Sequence, residues 1–536
     1  MSTVERTVHQ AFRQSVGKYP DADFVHVPAQ AAVSYSGQAI TLSYGEAAGQ
    51  ATALTAQYGA SGLRAGHRVA MLLDNRAEFF VHWLALNALG VSIVPLNVEG
   101  SSADMAHVLG DSGAVMAVAL PERWGSVQAA APELPVHAVG SLPPHCREAA
   151  PNAGADECAL VYTSGSTGKP KGCILSNRYF VVIGEWYTSV GGVCRVEPGR
   201  ERLITPLPLT HMNALACSAM AMILSGGCIV QLDRFHPRAW WQVVAESRAT
   251  IVHYLGVMPA ILLQLPSSED ERRHALHFGF GAGVHPSHHQ AFEERFGFPL
   301  VESWSMTEVG GGASVVASVE PRHVGTRCFG RPQPFMACRL VDADDRLVSR
   351  GEIGELQVRS AGPDPRNGFF SGYANQPELT EEAWADGWFR TGDMVREGED
   401  GSLHFVDRSK SIVRRSGENI ASLEVESVLN QIDGVRAVGV GPVDDELRGE
   451  EVMASIELAD GYAPTLETAE RIFHEAFEQL SYFKLPGYLA FVVALPLTGS
   501  QKLQRGELKI LSRRLLEQRR VFDLRHMKKR PASNTS

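Results

Sequence analysis

Apolar residues recur along the chain in two rhythms, and the rhythm decides which element each stretch predicts. Short runs rich in Val, Ile and Ala at 69–73, 91–95 and 114–119 alternate with segments of helical spacing at 78–89 and 103–109. Strands alternating with helices in this way make a largely parallel sheet whose faces are covered by helices. The rhythm runs on past residue 250, where 251–255 and 277–279 read as central strands separated by an amphipathic helix. From about residue 337 the segments shorten into alternating strands, at 338–341 and 354–359, with turns at Asp344-Asp345 and Gly351. Beyond Arg408 short segments at 422–429, 437–440 and 452–458 predict a separate α+β domain. The predicted fold class is α/β: a large N-terminal domain of helix-covered, mostly parallel sheets over 1–408, with a β-rich part at about 337–408. A small α+β C-terminal domain over 409–536 follows.

One stretch, 214–232, carries no charged residue over nearly the length of a spanning helix. Gly226-Gly227 interrupts it and a β-type run closed by Asp233 follows, so it predicts a buried helix, a turn and a buried strand. Residues 1–20 show helical spacing without the apolar core of a secretory signal. The expectation is a cytoplasmic protein that does not enter a membrane. With 44% hydrophobic and 20% charged residues the composition is that of an ordinary globular chain. Its net charge of −11 repels phosphate backbones and removes nucleic acid from the expected partners. The eight cysteines are dispersed without a CxxC pair, which predicts reduced thiols in place of disulfides or zinc ligands. The basic segment 513–530 predicts a solvated helix.

Chemistry enters at Thr163-Ser164-Gly165-Ser166-Thr167-Gly168-Lys169-Pro170-Lys171-Gly172, directly after the strand-like run 158–162. Glycines let the backbone approach oxyanions, while hydroxyls and lysines supply donors and positive charge, so this is a phosphate loop in chemical type. It is not a Walker A loop, because two residues separate Gly165 from Gly168 and Pro170 stands where Ser or Thr is needed. Further along come Trp304-Ser305-Met306-Thr307-Glu308, Arg390-Thr391-Gly392-Asp393, Asp407-Arg408-Ser409-Lys410 with Ser416-Gly417-Glu418-Asn419, and Pro496-Leu497-Thr498-Gly499-Ser500-Gln501-Lys502.

These five segments, in this order and spacing, resemble the signatures of the adenylate-forming superfamily of acyl-CoA synthetases, luciferases and peptide-synthetase adenylation domains. The resemblance spans nearly the whole chain and implies ATP, Mg²⁺ and CoA as cosubstrates and cofactor. In the implied reaction a carboxylate attacks the α-phosphorus of ATP, pyrophosphate leaves, and the acyl group then passes to a thiol. The resemblance implies that Thr163, Ser164, Gly165, Ser166, Thr167, Gly168, Lys169 and Lys171 hold the β- and γ-phosphates. Thr307 would take the α-phosphate and Glu308 the metal, whose preference for oxygen ligands suits a carboxylate. Trp304 would stack on adenine, Gly281-Ala282-Gly283 would reach its edge, and Asp393, with Arg408 nearby, would accept the ribose hydroxyls. Lys502 is the expected catalytic cation, joined in the catalytic group by His211. Lys410 marks the hinge of a mobile C-terminal lid, and Gly417, Glu418 and Asn419 belong to the thiol-transfer step. Trp186, Tyr187, Gly256 and Ser305 are the implied acyl pocket.

Three residues depart from the family pattern: Gln501 stands for the glycine before the lysine, Ser305 for the glycine after the aromatic, and Trp304 for tyrosine. Segments 211–227, 235–241 and 405–419 resemble crotonobetaine/carnitine-CoA ligases, which makes a small acid such as carnitine or crotonobetaine the expected substrate. Glu185, Trp186 and Tyr187 on one predicted helix are the candidates for meeting a quaternary ammonium. Two other readings share the motifs: a stand-alone adenylation enzyme that loads a carrier protein, and a nucleotide-binding pseudoenzyme. Pro206-Leu207-Pro208-Leu209-Thr210-His211 stands where relatives that load amino acids show a Phe-Asp pair, which disfavours an α-amino acid. The acid, the acceptor and the oligomeric state stay open, with a homodimer among the assemblies to test.

Overall fold

The computed structural model describes residues 6–98, 102–163, 170–415, 418–445, 448–497 and 503–528, and for Lys410, Arg414, Glu418 and Asn419 the backbone alone. By density of internal contacts the chain divides into two compact units. One comprises Met1–Cys338, Gln357–Arg390 and Gly398–His404; the other comprises Arg339–Leu356, Thr391–Glu397 and Phe405–Ser536.

The predicted rhythm builds two large sheets in the first unit. One runs, edge to edge, through Val315–Val316, Leu300–Trp304, Phe278–Ala282, Ile251–Leu255, Arg202–Thr205, Cys228–Gln231, Asp23–Val27 and Ile40–Ser43. All neighbours pair in parallel except at its two edges. The second runs through Gly372–Tyr373, Lys171–Ser176, Glu157–Thr163, Ser92–Pro95, Arg68–Leu72, Met116–Ala119 and Val136–Ala138. Its central strands are buried on both faces and read as unbroken apolar runs, as a helix-covered parallel sheet requires. The β-rich part is a further sheet through Cys328–Gly330, Leu403–Arg408, Trp388–Glu397, Ile353–Ser360 and Met336–Val341.

Local sequence fixes the helix ends. Thr7 and Gln10 form a capping box on Val8–Lys18, and Ser43 and Glu46 form another on Tyr44–Ala60. The uncharged stretch at 214–232 resolves into a π-helical segment Asn213–Ser218, the helix Ala219–Ser225, a left-handed Gly226 and the strand Cys228–Gln231. No helix among the described residues is long and apolar enough to cross a membrane.

Two features of this scaffold hold the ends of strands where a ligand could meet them. The parallel strands Ile251–Leu255, Phe278–Ala282 and Leu300–Trp304 are aligned so that Leu255 pairs with Ala282 and Gly281 with Glu302. Their carboxyl ends therefore share one edge, the usual place for ligands in open α/β sheets. Gly256 packs directly under the turn that ends the middle strand: a Cβ there would lie 1.8 Å from the Gly283 carbonyl oxygen. In the second sheet Thr163 pairs with Lys171, so these two motif residues are cross-strand neighbours.

The second unit is built around the strand Gly449–Leu458, flanked by Val435–Asp445 and Tyr488–Phe491, with the helices Ser422–Leu429 and Leu466–Phe477 contributing to one apolar core. Here the structure corrects the expected basic helix at 513–530. The helix is Arg505–Glu517; Arg519 then takes a left-handed φ of 53°, and the chain turns into the strand Phe522–Asp523 on Tyr488–Leu489. The cause is burial: the Lys528 side chain is 1% exposed and its Nζ lies 2.6 Å from Glu451, itself paired with Arg415 at 2.8 Å. Removing a charge from water costs several kcal/mol unless it is paired, so the tail is tied to this carboxylate instead of continuing as a solvated helix.

Gly256→Ala should lower stability by about 1–3 kcal/mol, the usual scale for forcing atoms into a filled site; an unchanged denaturation midpoint would contradict the close approach. Burial pushes Lys528 down to about 8 from 10.5, against the pull of Glu451. Between those values the unfolded chain holds a proton that the folded chain lacks, so folding stability rises with pH across that window. Lys528→Met should remove this rise, which paired denaturation curves at pH 7.5 and about 10 would show.

Candidate functional site

Residues singled out by the sequence fall into two groups, one in each unit. In the first, the strand Leu300–Trp304 runs into a turn that carries Ser305, Thr307 and Glu308. Glu308 is 8% exposed. Its Oε1 accepts the Tyr373 hydroxyl at 2.9 Å, and its carbonyl accepts the Phe370 amide at 2.9 Å. No described Lys or Arg forms an ion pair with it. Lys171, which opens the strand Lys171–Ser176, holds its Nζ 4.7 Å above the Tyr373 ring. Lys171, Tyr373 and Glu308 thus form one cluster, with Thr163 at the neighbouring strand end. Residues 164–169 of the loop lie outside the described residues.

A carboxylate that is buried, negative and without a cation partner is costly unless a positive ligand joins it. Oxygen ligands and this unbalanced charge fit a hard divalent ion such as Mg²⁺. Burial and the neighbouring Glu308 charge push the Tyr373 phenol well above the ordinary tyrosine range, so at working pH it is a neutral donor.

The turn at 281–284 is held by a residue that the motifs did not single out. Glu302, 6% exposed, accepts the Gly283 amide at 3.0 Å and the Val284 amide at 2.9 Å, while the Tyr254 hydroxyl donates to it at 3.3 Å. Burial raises this carboxyl and the two amides oppose the rise. Next to it, the Ser303 hydroxyl donates to the Gly281 carbonyl at 3.0 Å. Ala282 and Gly283 stay exposed, with Gly283 at a φ of 83°. Trp304 is buried with its ring 5.9 Å from Phe329, and Ser305 accepts the Ser314 hydroxyl at 2.8 Å.

Trp186 and Tyr187, on the helix Asn177–Ser189, pack in a ring cluster with Phe280 and His253. Burial pushes His253 down to about 3. It is therefore neutral, with Nδ1 2.8 Å from Asn213 Oδ1 and Nε2 2.9 Å from the Tyr187 hydroxyl. Glu185 points elsewhere, to Arg6 at 2.9 Å. His211 is exposed at the start of the run that becomes Asn213–Ser218.

In the second unit Asp393, buried, and Arg408, half exposed, meet in an ion pair of 2.6 Å. The Thr391 hydroxyl accepts the Asp393 amide at 3.0 Å and donates to the Leu356 carbonyl at 2.6 Å, which fixes the backbone that presents the carboxylate. Lys410 sits in the short turn Ser409–Ser411, and Glu418 and Asn419 open the strand Glu418–Ala421. Gly417 and Lys502 lie outside the described residues. Tyr373 had no signal in the local pattern, because its partners are remote in sequence. Glu302 had one: a carboxylate in a strand that also carries Leu300, Val301 and Trp304.

Comparison with known proteins identifies the family. The model of the AMP-binding enzyme family matches residues 12–374, and that of the AMP-binding enzyme C-terminal domain matches 424–502. A sulfoacetate–CoA ligase of Cupriavidus necator is 31% identical, over 89% of this chain and 93% of its own. A crotonobetaine/carnitine–CoA ligase of Citrobacter koseri is 29% identical, over 84% of this chain and 89% of its own. A feruloyl-CoA synthase of an Amycolatopsis species is 31% identical, over 92% and 99%. Among solved structures, ATP-bound MatB from Rhodopseudomonas palustris superposes with a TM-score of 0.78 at 23% identity, covering 97% of this chain and 100% of its own. The o-succinylbenzoate CoA synthetase of Bacillus subtilis, in complex with its acyl-adenylate, gives 0.78 at 23%, covering 93% and 97%; at such identity the likeness speaks for the fold. With the family model covering well over half of it, the chain belongs to the adenylate-forming, AMP-binding enzyme family.

Proposed function

We propose that this protein is an ATP-dependent carboxylic acid:CoA ligase. Acid and ATP give acyl-AMP and pyrophosphate; acyl-AMP and CoA then give acyl-CoA and AMP. The observation that carries the reading is the buried Glu308 carboxylate, uncompensated by any described cation yet grouped with Lys171, in a chain whose relatives are named as CoA ligases and synthetases. In this reading residues 163–169 and Lys171 hold the β- and γ-phosphates, and Thr307 the α-phosphate. Glu308 would hold Mg²⁺, which offsets phosphate charge when bound. Glu302 and Ser303 keep the 281–284 turn in place for adenine beside Trp304. Asp393 accepts the ribose hydroxyls once Arg408 has moved from it or shares it.

The acid's own negative charge and the phosphates repel each other, and that barrier is the work assigned to Lys502, with His211 in the same catalytic group. Residues 409–536 act as a lid that turns about Lys410, so that Gly417, Glu418 and Asn419 serve the thiol step. The substrate is a small carboxylic acid, bounded near Gly256 and Ser305. With Glu185 engaged by Arg6, and Trp186 and Tyr187 packed among rings, that helix favours no separate cage for a quaternary ammonium. Carnitine and crotonobetaine, sulfoacetate and ferulate make the first substrate panel. AMP release that needs one of these acids and is stimulated by CoA is the expected result. Release with a carrier protein alone would favour the loading enzyme, and no release with any acid would sink the ligase.

Two variants test the residue roles. Lys502→Ala should slow acyl-adenylate formation by roughly a hundredfold, the scale for losing a preorganised charge at a transition state. It should leave conversion of supplied acyl-AMP and CoA near the wild-type rate; equal damage to both halves would contradict the lid account. Asp393→Ala should raise the KM for ATP more than it lowers kcat, since the ribose is held throughout. Normal ATP affinity in calorimetry would refute the assignment.

A further inference from the structure

Resting on the ligase reading, we propose that Tyr373 is a positioning residue that keeps Lys171 and Glu308 apart and holds the carboxylate in place for its metal. The phenol donates to Glu308 Oε1 at 2.9 Å, while the ring lies 4.7 Å beneath the Lys171 ammonium. One side chain therefore meets the carboxylate with its polar edge and the cation with its π face. A half-buried lysine and a buried carboxylate otherwise free to meet would form a salt bridge, because the carboxylate has little water there. Such a pair would remove the charge of Lys171 from the phosphates and that of Glu308 from the metal. The ring supplies a weaker, uncharged partner to each and leaves both charges available.

Tyr373 is itself firmly placed. The strand Gly372–Tyr373 pairs with Ile174 and Cys173, two residues past Lys171, so the ring and the lysine share one hairpin edge. The Tyr373 amide donates to the Thr380 hydroxyl at 2.9 Å, and the Phe370 ring packs 4.9 Å away. Because the Phe370 amide also donates to the Glu308 carbonyl at 2.9 Å, the segment 370–373 grips Glu308 by backbone and side chain together. Only a neutral donor suits this place. A lysine or arginine at 373 would cancel the carboxylate, and an aliphatic residue would leave Oε1 without its hydrogen bond.

The test compares Tyr373→Phe, which keeps the ring and loses the hydroxyl, with Tyr373→Leu, which loses both. Mn²⁺ binding in the presence of ATP is read by electron paramagnetic resonance, and ATP binding at saturating metal by calorimetry. Tyr373→Phe should weaken Mn²⁺ binding roughly tenfold while leaving ATP affinity at saturating metal unchanged, the loss expected for one hydrogen bond to a charged group. Tyr373→Leu should weaken both. Variants that match the wild type in both readouts would overturn the role, as would a Tyr373→Phe that loses metal and nucleotide affinity equally. If Tyr373→Leu melts, Tyr373→Phe decides alone. A wild type that binds no Mn²⁺ with ATP sinks the ligase reading and this inference together, whereas wild-type binding with unaltered variants sinks only the inference.

Discussion

A buried carboxylate that no described Lys or Arg pairs with governs this site. Glu308 is 8% exposed, accepts one phenolic hydrogen bond, and meets no cation among the described residues. In a low-dielectric setting such a group is tolerated only where the surrounding fold leaves it no better partner and a cation can arrive from outside. Among the described residues the surroundings meet the first condition. Lys171, which shares Tyr373 with it, is occupied by the face of that ring, and the backbone of Glu308 is tied to Phe370. The site is thus held open electrostatically by contacts that are individually weak.

The scaffold supplies the rest by placing chain ends side by side. Pairing of Thr163 with Lys171 brings the two ends of the glycine- and lysine-rich motif side by side. Parallel alignment of the strands ending at Leu255, Ala282 and Trp304 brings three turns to one edge, and Glu302 and Ser303 pin the middle one from the neighbouring strand. A glycine is needed at 256 because the Gly283 carbonyl fills the space where a side chain would be. Ala282 and Gly283 are consequently presented to solvent on a turn held by Glu302.

Legibility in the sequence followed the range of each interaction. The parallel sheets could be read because buried strands and amphipathic helices leave periodic traces within a dozen residues; strand 251–255 was expected at the bounds it has. Turns at Asp345 and Gly351 were legible because both adopt left-handed backbone that Asp and Gly tolerate. Motif residues were found by resemblance, since Thr307 and Glu308 alone look like any polar turn. Tyr373 was illegible: its two partners lie 202 and 65 positions away, and nothing beside it hints at either. The basic tail was misread for the related reason that charge composition reports solvent affinity on average, while Lys528 finds Glu451 through the tertiary fold.

In the proposed reaction the acid is activated by ATP before any thiol is needed. The direct measurement is exchange of labelled pyrophosphate into ATP, in the presence of Mg²⁺ and a substrate acid and in the absence of CoA. An enzyme that makes a bound acyl-adenylate must run this step backwards, so exchange should appear with the acid and vanish without it. Exchange that requires CoA, or that ignores the acid, would contradict the account.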